Sequence, residues 1–148
     1  TPDERLLTHY YRGVIYLNAG CLEDAMAKYV EAEKYVNTCK DNGINARLYK
    51  AKMSLYVSLY DHLAAIQQGK IASDYFLKDC DTLSYINTIN DIAIQYDLIN
   101  DSSAVAEHLG IIKSHWEILT DLQKSNYYAL SLSLMPGSQE KSIWLKLA

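Results

Sequence analysis

The stretch Gly13-Val14-Ile15-Tyr16-Leu17-Asn18-Ala19-Gly20-Cys21-Leu22-Glu23-Asp24-Ala25 decides how the chain folds. An apolar run at helical spacing breaks at Gly20 and resumes at Leu22 in a different phase, so two helices meet at a corner. Slid along itself by the separation of Tyr16 from Tyr56, the chain also places Tyr56 on Tyr96, Ala25 on Ala65 and then Val105, and Ala32 on Ala72 and then Ile112. The corner residue Gly20 falls on Tyr60 and Asn100. Recurrence of residue type and size at a period of about 40 residues is the mark of helical hairpins stacked as a solenoid.

Local signals support the helices. Thr1-Pro2-Asp3-Glu4 offers a hydroxyl N-cap, Pro at the first helical position and Glu three residues after Thr, a capping box. Leu6, Tyr10, Gly13 and Leu17 then recur at helical spacing. A second helix over 22–38 aligns Leu22, Ala25, Tyr29, Ala32 and Val36, and closes near Cys39 to Gly43, where Asn and Gly favour a turn. Helices are expected over 44–59, 62–77 and 81–98, with Asn100 to Ser103 ending the last and capping a sixth. A seventh spans Asp121 to Met135, and Pro136-Gly137-Ser138 separates it from a short final helix carrying Ile143, Trp144 and Leu147. Gly69, in mid-helix where glycine costs about 1 kcal/mol relative to Ala, is expected to let a neighbouring helix or a large ring approach. The fold class expected is all-α: a right-handed α-α superhelix of about four hairpins in a single domain over 1–148, with repeats near 6–40, 46–80, 86–119 and 122–148.

Composition bounds the function. Of 148 residues, 49% are hydrophobic and 22% charged, as in a soluble folded protein, and the formal net charge is -4. Nucleic acid calls for a concentrated basic surface, and Lys50, Lys52 and Lys141 are too sparse to form one. No stretch reaches the roughly 20 apolar residues of a membrane span. The N-terminus has no initiator Met and no signal-like region, so the chain reads as an excised segment or a mature product, and the compartment stays open. Cys21, Cys39 and Cys80 are too widely spaced for a metal pattern or a dense disulfide framework and read as buried or half-buried thiols, with one disulfide as the alternative in an oxidising compartment. Thirteen tyrosines against one Phe and two Trp suit a thin structure whose core lies near solvent.

The repeat positions resemble those of the tetratricopeptide repeat family: a small residue at the eighth position, an aromatic at the eleventh, Ala at the twentieth, an aromatic at the twenty-fourth and Ala at the twenty-seventh. The first repeat supplies Gly13, Tyr16, Ala25, Tyr29 and Ala32. The second supplies Met53, Tyr56, Ala65, Gly69 and Ala72, departing at two positions, and the third Ala93, Tyr96, Val105, Leu109 and Ile112. A fourth needs a shorter shift, where Leu130 and Ser142 match poorly. The segments TPDERLLTHYYRGVIYLNAG, EDAMAKYVEAE and IAIQYDLINDSSAV are also similar to repeat regions of Bacteroidetes exported tetratricopeptide proteins, often lipoproteins or sensory parts of membrane-anchored regulators. That likeness implies a periplasmic location, or a membrane anchor outside this segment, with a cytoplasmic location as the alternative.

The resemblance implies a concave face lined by the first helix of each hairpin. Its positions hold Leu7, Tyr10, Val14, Leu17 and Asn18, then Arg47, Lys50, Ser54, Val57 and Ser58, then Asn87, Asn90, Ile94, Asp97 and Leu98. The groove residues singled out are Tyr10, Val14, Asn18, Arg47, Lys50, Ser54, Asn87, Asn90 and Asp97, with a protein or peptide as partner, Tyr10 as aromatic anchor and amides pairing the partner's backbone. Leu7, Leu17 and Val57 read more as packing residues than as ligand contacts, and Arg47 and Lys50 equally as solvated charges. Some family members grip a terminal carboxylate with a Lys and Asn pair on the first inner helix. Tyr10 and Val14 occupy those positions here, so that recognition is not expected. An alternative is a structural dimer through Ile143, Trp144 and Leu147; a small-molecule sensor or enzyme, which would need a deep pocket with converging polar groups, is the less expected third.

Catalysis has no constellation to rest on. His9, His62, His108 and His115 form no close pair, although His108 and His115, with Glu107 and Glu117, are a conceivable metal set two turns apart. No nucleophile elbow or phosphate loop is present. Asp97, Asp101 and Asp121 could be drawn as acids in a cleft, but acids at helix N-termini are favoured by the helix dipole without any chemistry. No enzyme activity, cofactor or metal is expected.

Overall fold

The structure, a computed structural model, describes residues 1–136. The expected final helix with Ile143, Trp144 and Leu147, and the fourth-repeat position Ser142, lie outside the described residues. Seven α-helices follow one another: α1 Pro2–Asn18, α2 Leu22–Glu33, α3 Asn42–Ser58, α4 His62–Lys78, α5 Thr82–Leu98, α6 Ser102–Ser114 and α7 Asp121–Ser131. Short 3-10 turns occupy Trp116–Ile118 and Leu132–Leu134. Among the described residues there is no strand, and each helix packs on the next.

The corners repeat one chemistry. Gly20, Tyr60, Cys80 and Asn100 have φ of 78°, 58°, 57° and 61°, the left-handed conformation that ends a helix. The following residues Cys21, Asp61, Asp81 and Asp101 donate their backbone N–H to the carbonyls of Tyr16, Tyr56, Phe76 and Tyr96 at 2.9–3.0 Å, closing a Schellman motif. The same three aspartates turn their carboxylates forward. Asp61 accepts from the Ala64 amide, Asp81 from Ser84 and Asp101 from Ala104, at 3.0–3.1 Å, capping the next helix. Asp41, Asp61, Asp81 and Asp101 thus recur at one even spacing, half the separation of Tyr16 from Tyr56. The repeat over 41–80 is therefore two equal half-units, a 17-residue helix with its corner taken twice.

Three expected helices differ. α2 stops at Glu33, not residue 38, because Tyr35, Val36 and Thr38 donate to the carbonyls three residues back. Val36 stays buried in this tightened segment. Asn42 and Gly43, expected in a turn, already belong to α3, since the Asp41 carboxylate caps the Ile44 amide at 3.1 Å. α7 ends at Ser131 and tightens, short of Met135. Ser131 and Ser133 donate their hydroxyls to the carbonyls of Tyr127 and Leu130 at 2.7 and 2.8 Å, a competition that weakens helix ends. The capping boxes at Thr1–Glu4 and Thr120–Gln123 are complete, the second unforeseen.

Glycine sets the helix spacing at two crossings. A β-carbon on Gly13 would lie 2.3 Å from Cε1 of Tyr29, and one on Gly69 would lie 2.8 Å from Cγ1 of Ile92 and from the Met53 sulfur. The approach expected at Gly69 is therefore made by α5 and α3. Around Gly13 the core gathers Leu6, Ala25, Tyr29, Ala32, Leu48 and Leu55; around Gly69 it gathers Met53, Ala65, Ile66, Ile92, Val105 and Ile112. Ten of the thirteen tyrosines are half-buried, which fits a core of little depth, and only Tyr29 is wholly buried.

Candidate functional site

Three cavities lie in a row along the odd-numbered helices. The first, about 260 Å³, is lined by Tyr10, Val14 and Leu17 of α1, Arg47, Lys50, Ala51 and Ser54 of α3, with Tyr29 and Phe76. The second, about 240 Å³, shares Lys50 and Ser54 and adds Met53, Val57, Asp91, Ile94 and Gln95. The third, about 400 Å³, shares Asp91 and Ile94 and adds Asn90, Asn126, Ala129 and Leu130. Shared walls join them into one groove from α1 to α7. Of the nine groove residues singled out from sequence, Tyr10, Val14, Arg47, Lys50, Ser54 and Asn90 line it.

The other three lie apart. Asn18 is exposed at the end of α1. Asn87 accepts a 3.0 Å hydrogen bond from the Gln123 amide, which ties α5 to α7. Asp97 lies half-buried one turn past the groove, and its carbonyl is used in the Asn100 corner. Asn18 and Asp97 depart because they sit at the ends of their helices, whereas Asn87, which matches Arg47 in the preceding repeat, is taken up by Gln123 of α7.

Sequence reasoning missed Asp91, Gln95, Tyr29 and Asn126. Asp91 changes the electrostatics, because Lys50, read as a groove cation or a solvated charge, forms a salt bridge with it across α3 and α5. Gln95 is held by a 2.7 Å hydrogen bond with Nδ1 of His62. A signal for Asp91 existed: it follows Asn90, the position that matches Lys50 in the next repeat. Lys52 is buried and pairs with Glu33 of α2, so neither lysine of the 50–52 pair is a free surface charge. Arg47 is exposed and makes no salt bridge among the described residues.

Two tyrosines define the end of the groove near α1. Burial raises the pKa of Tyr10, while the Arg47 guanidinium pulls it the other way. Burial pushes Tyr29 up to about 12, with nearby Tyr10 adding to the shift. The Tyr29 hydroxyl and the side-chain oxygen of Asn90 are buried without a hydrogen-bond partner. Both residues line the groove, but each of these atoms is itself out of contact with solvent and would need a side-chain shift to meet anything placed there.

Elsewhere, His108 is buried and His115 half-buried. Their Nδ1 atoms lie 2.8 and 3.0 Å from the carbonyls of Ala104 and Ile111, and their rings pack on Tyr96 and Tyr85. Among the described residues no group of three His, Cys, Asp or Glu is placed to hold a metal. Asp101 is occupied as a helix cap, and Asp121 opens α7. Cys39 is buried, and burial raises its thiol pKa, but Cys21 and Cys80 are exposed at corners, not buried or half-buried as expected. None of the three is in a disulfide. Among the described residues no helix is long and apolar enough to cross a membrane.

Compared with family models, curated proteins and solved structures, the chain finds no match in any of the three.

Proposed function

We propose that this chain is a protein- or peptide-binding scaffold of tetratricopeptide type, whose first helices form a groove for an extended or helical segment. The observation that carries the reading is the row of three cavities along α1, α3, α5 and α7, joined by shared side chains. Apolar walls at Val14, Leu17 and Ile94 supply contact area, while Tyr10, Ser54, Asn90 and Asn126 supply partners for a peptide backbone. The family assignment rests on Gly13, Tyr16, Ala25, Tyr29 and Ala32 and on consecutive helix pairing. Against it stands the spacing: the repeat from Asp61 to Asp101 is longer than the family's roughly 34 residues. The added length lies in helices of 17 residues such as α3, α4 and α5.

A sensory segment facing the periplasm rests on the sequence likeness alone, and fractionation of the full-length product decides between that and the cytoplasm. The groove is tested by selecting binders from a displayed library of random peptides. Ile94→Glu, in the shared wall of two cavities, is expected to abolish binding of selected peptides, and Val30→Glu, at an exposed position outside the cavities, to leave it intact. Peptides indifferent to Ile94→Glu would place the binding surface elsewhere.

A further inference from the structure

The cavity between α1 and α3 has chemistry that sets it apart from the rest of the groove. Tyr29 comes from α2, yet its ring lies against Gly13 of α1 and the residue lines the cavity. The side chain is 0% exposed and its hydroxyl has no partner, so folding deprives it of the hydrogen bonds it makes in water. At the rim stands Arg47, exposed and without an ion pair among the described residues. Beside it Lys50 is neutralised by Asp91. This end of the groove therefore holds one uncompensated positive charge on a chain whose net charge is -4.

Resting on the groove reading above, we propose that the cavity between α1 and α3 takes the side chain of an Asp or Glu from the bound segment, its carboxylate held by Arg47, Tyr10 and Tyr29. The donors decide the class. A guanidinium presents a fork of N–H groups that matches a carboxylate, and two phenols add donors that do not compete with it. Burial raises the pKa of both phenols, so they keep their protons at neutral pH. One free cation matches one negative charge, which favours a carboxylate over a doubly charged phosphate group. A cavity of about 260 Å³ has room for a side chain.

The test uses the whole chain and the random-peptide selection. Selected peptides are expected to share an Asp or Glu at one fixed position. Arg47→Gln is expected to weaken them by about tenfold or more and Tyr29→Phe by about ten- to a hundredfold, the range of hydrogen bonds to a charged group. Changing the peptide's acid to its amide is expected to erase the difference between wild type and Arg47→Gln. Tyr29→Phe should leave the melting temperature unchanged or raised, so weaker binding would not reflect lost structure. Peptides without a fixed acidic position that still fail on Ile94→Glu would overturn this proposal and leave the groove standing. Acidic peptides indifferent to Arg47→Gln would overturn it as well. Selection of nothing that depends on Ile94 would overturn both.

Discussion

The ring of Tyr29 on α2 occupies the space where a β-carbon of residue 13 on α1 would be, 2.3 Å from Cε1 and 2.6 Å from Cδ1. Tyr29 is fully buried, so admitting a β-carbon forces its ring against its core neighbours or into the adjoining cavity. Gly13→Ala is therefore expected to destabilise the chain. Overpacking of about 1–3 kcal/mol exceeds the gain of about 1 kcal/mol from removing a mid-helix glycine. A urea melt measures it, and a stabilised variant would show that α1 and α2 can part freely.

Gly69 and Gly110 form a matched pair for the same measurement. A leucine at 69 must displace Ile92 and Met53 and is expected to cost about 1–3 kcal/mol. Position 110, in α6, has open space around it, so Gly110→Ala is expected to stabilise by up to about 1 kcal/mol. Equal effects of the two substitutions would refute the helix crossing at Gly69.

At the corners, left-handed backbone costs an L-residue roughly 1–2 kcal/mol. Tyr60 has φ of 58° and is 83% exposed, so Tyr60→Gly removes strain with little packing lost. A rise in melting temperature is expected, larger than for Asn100→Gly, since asparagine tolerates this conformation. Gly20→Ala should act in the opposite sense. Calorimetry of the three variants checks the order.

The two cross-helix ion pairs differ in depth. Lys52 has 8% side-chain exposure against 27% for Lys50. Glu33→Gln strands a buried ammonium, and the expected loss is about 1–3 kcal/mol, short of the roughly 3–5 kcal/mol of a fully buried pair. Asp91→Asn leaves Lys50 able to rehydrate, with an expected loss of at most about 1 kcal/mol. Thermal melts at low and high salt should show the smaller effect fading with salt. A larger loss at Asp91 would reverse the assignment.

Stability at alkaline pH follows from the tyrosines. Tyr29 holds its proton to about 12 in the folded chain, above the ordinary value of 10.0, and Tyr10, Tyr49 and Tyr85 are raised by burial too. The unfolded chain releases these protons first, so stability is complete below pH 10 and declines as pH rises toward 12. Tyr29→Phe is expected to flatten that decline in unfolding curves followed by circular dichroism. An unchanged slope would mean that Tyr29 ionises as readily folded as unfolded.

The helices were legible because their signals are local: caps, apolar spacing and the recurrence of Tyr16, Tyr56 and Tyr96. The half-repeat was written in Asp41, Asp61, Asp81 and Asp101 but hidden at Cys80, a residue type that gives no hint of left-handed backbone. The early end of α2 depends on tertiary context, including the buried amide of Asn45 directed at the carbonyls of Val36 and Cys39. In the groove, Tyr10, Lys50 and Asn90 could be placed because they hold the same position in successive repeats. Tyr29 could not, and Asp91 had only its place beside Asn90 to mark it. Asp91 depends on the rotation of α5 relative to α3, and Tyr29 reaches the cavity past a glycine on another helix.

Connections between helices are usually the forgiving part of a chain, where extra residues are absorbed. Here Asp61, Asp81 and Asp101 each finish one helix with the backbone and begin the next with the side chain. A single residue inserted at any of these corners would force a choice between two ends, leaving one of them frayed. The link from Lys34 to Lys40, built on three-residue turns, carries no such double duty. Length variation and grafted sequence therefore belong at the exposed Asn37 and Thr38 of that link, between its buried Val36 and Cys39, and the short corners set the spacing of everything stacked on either side.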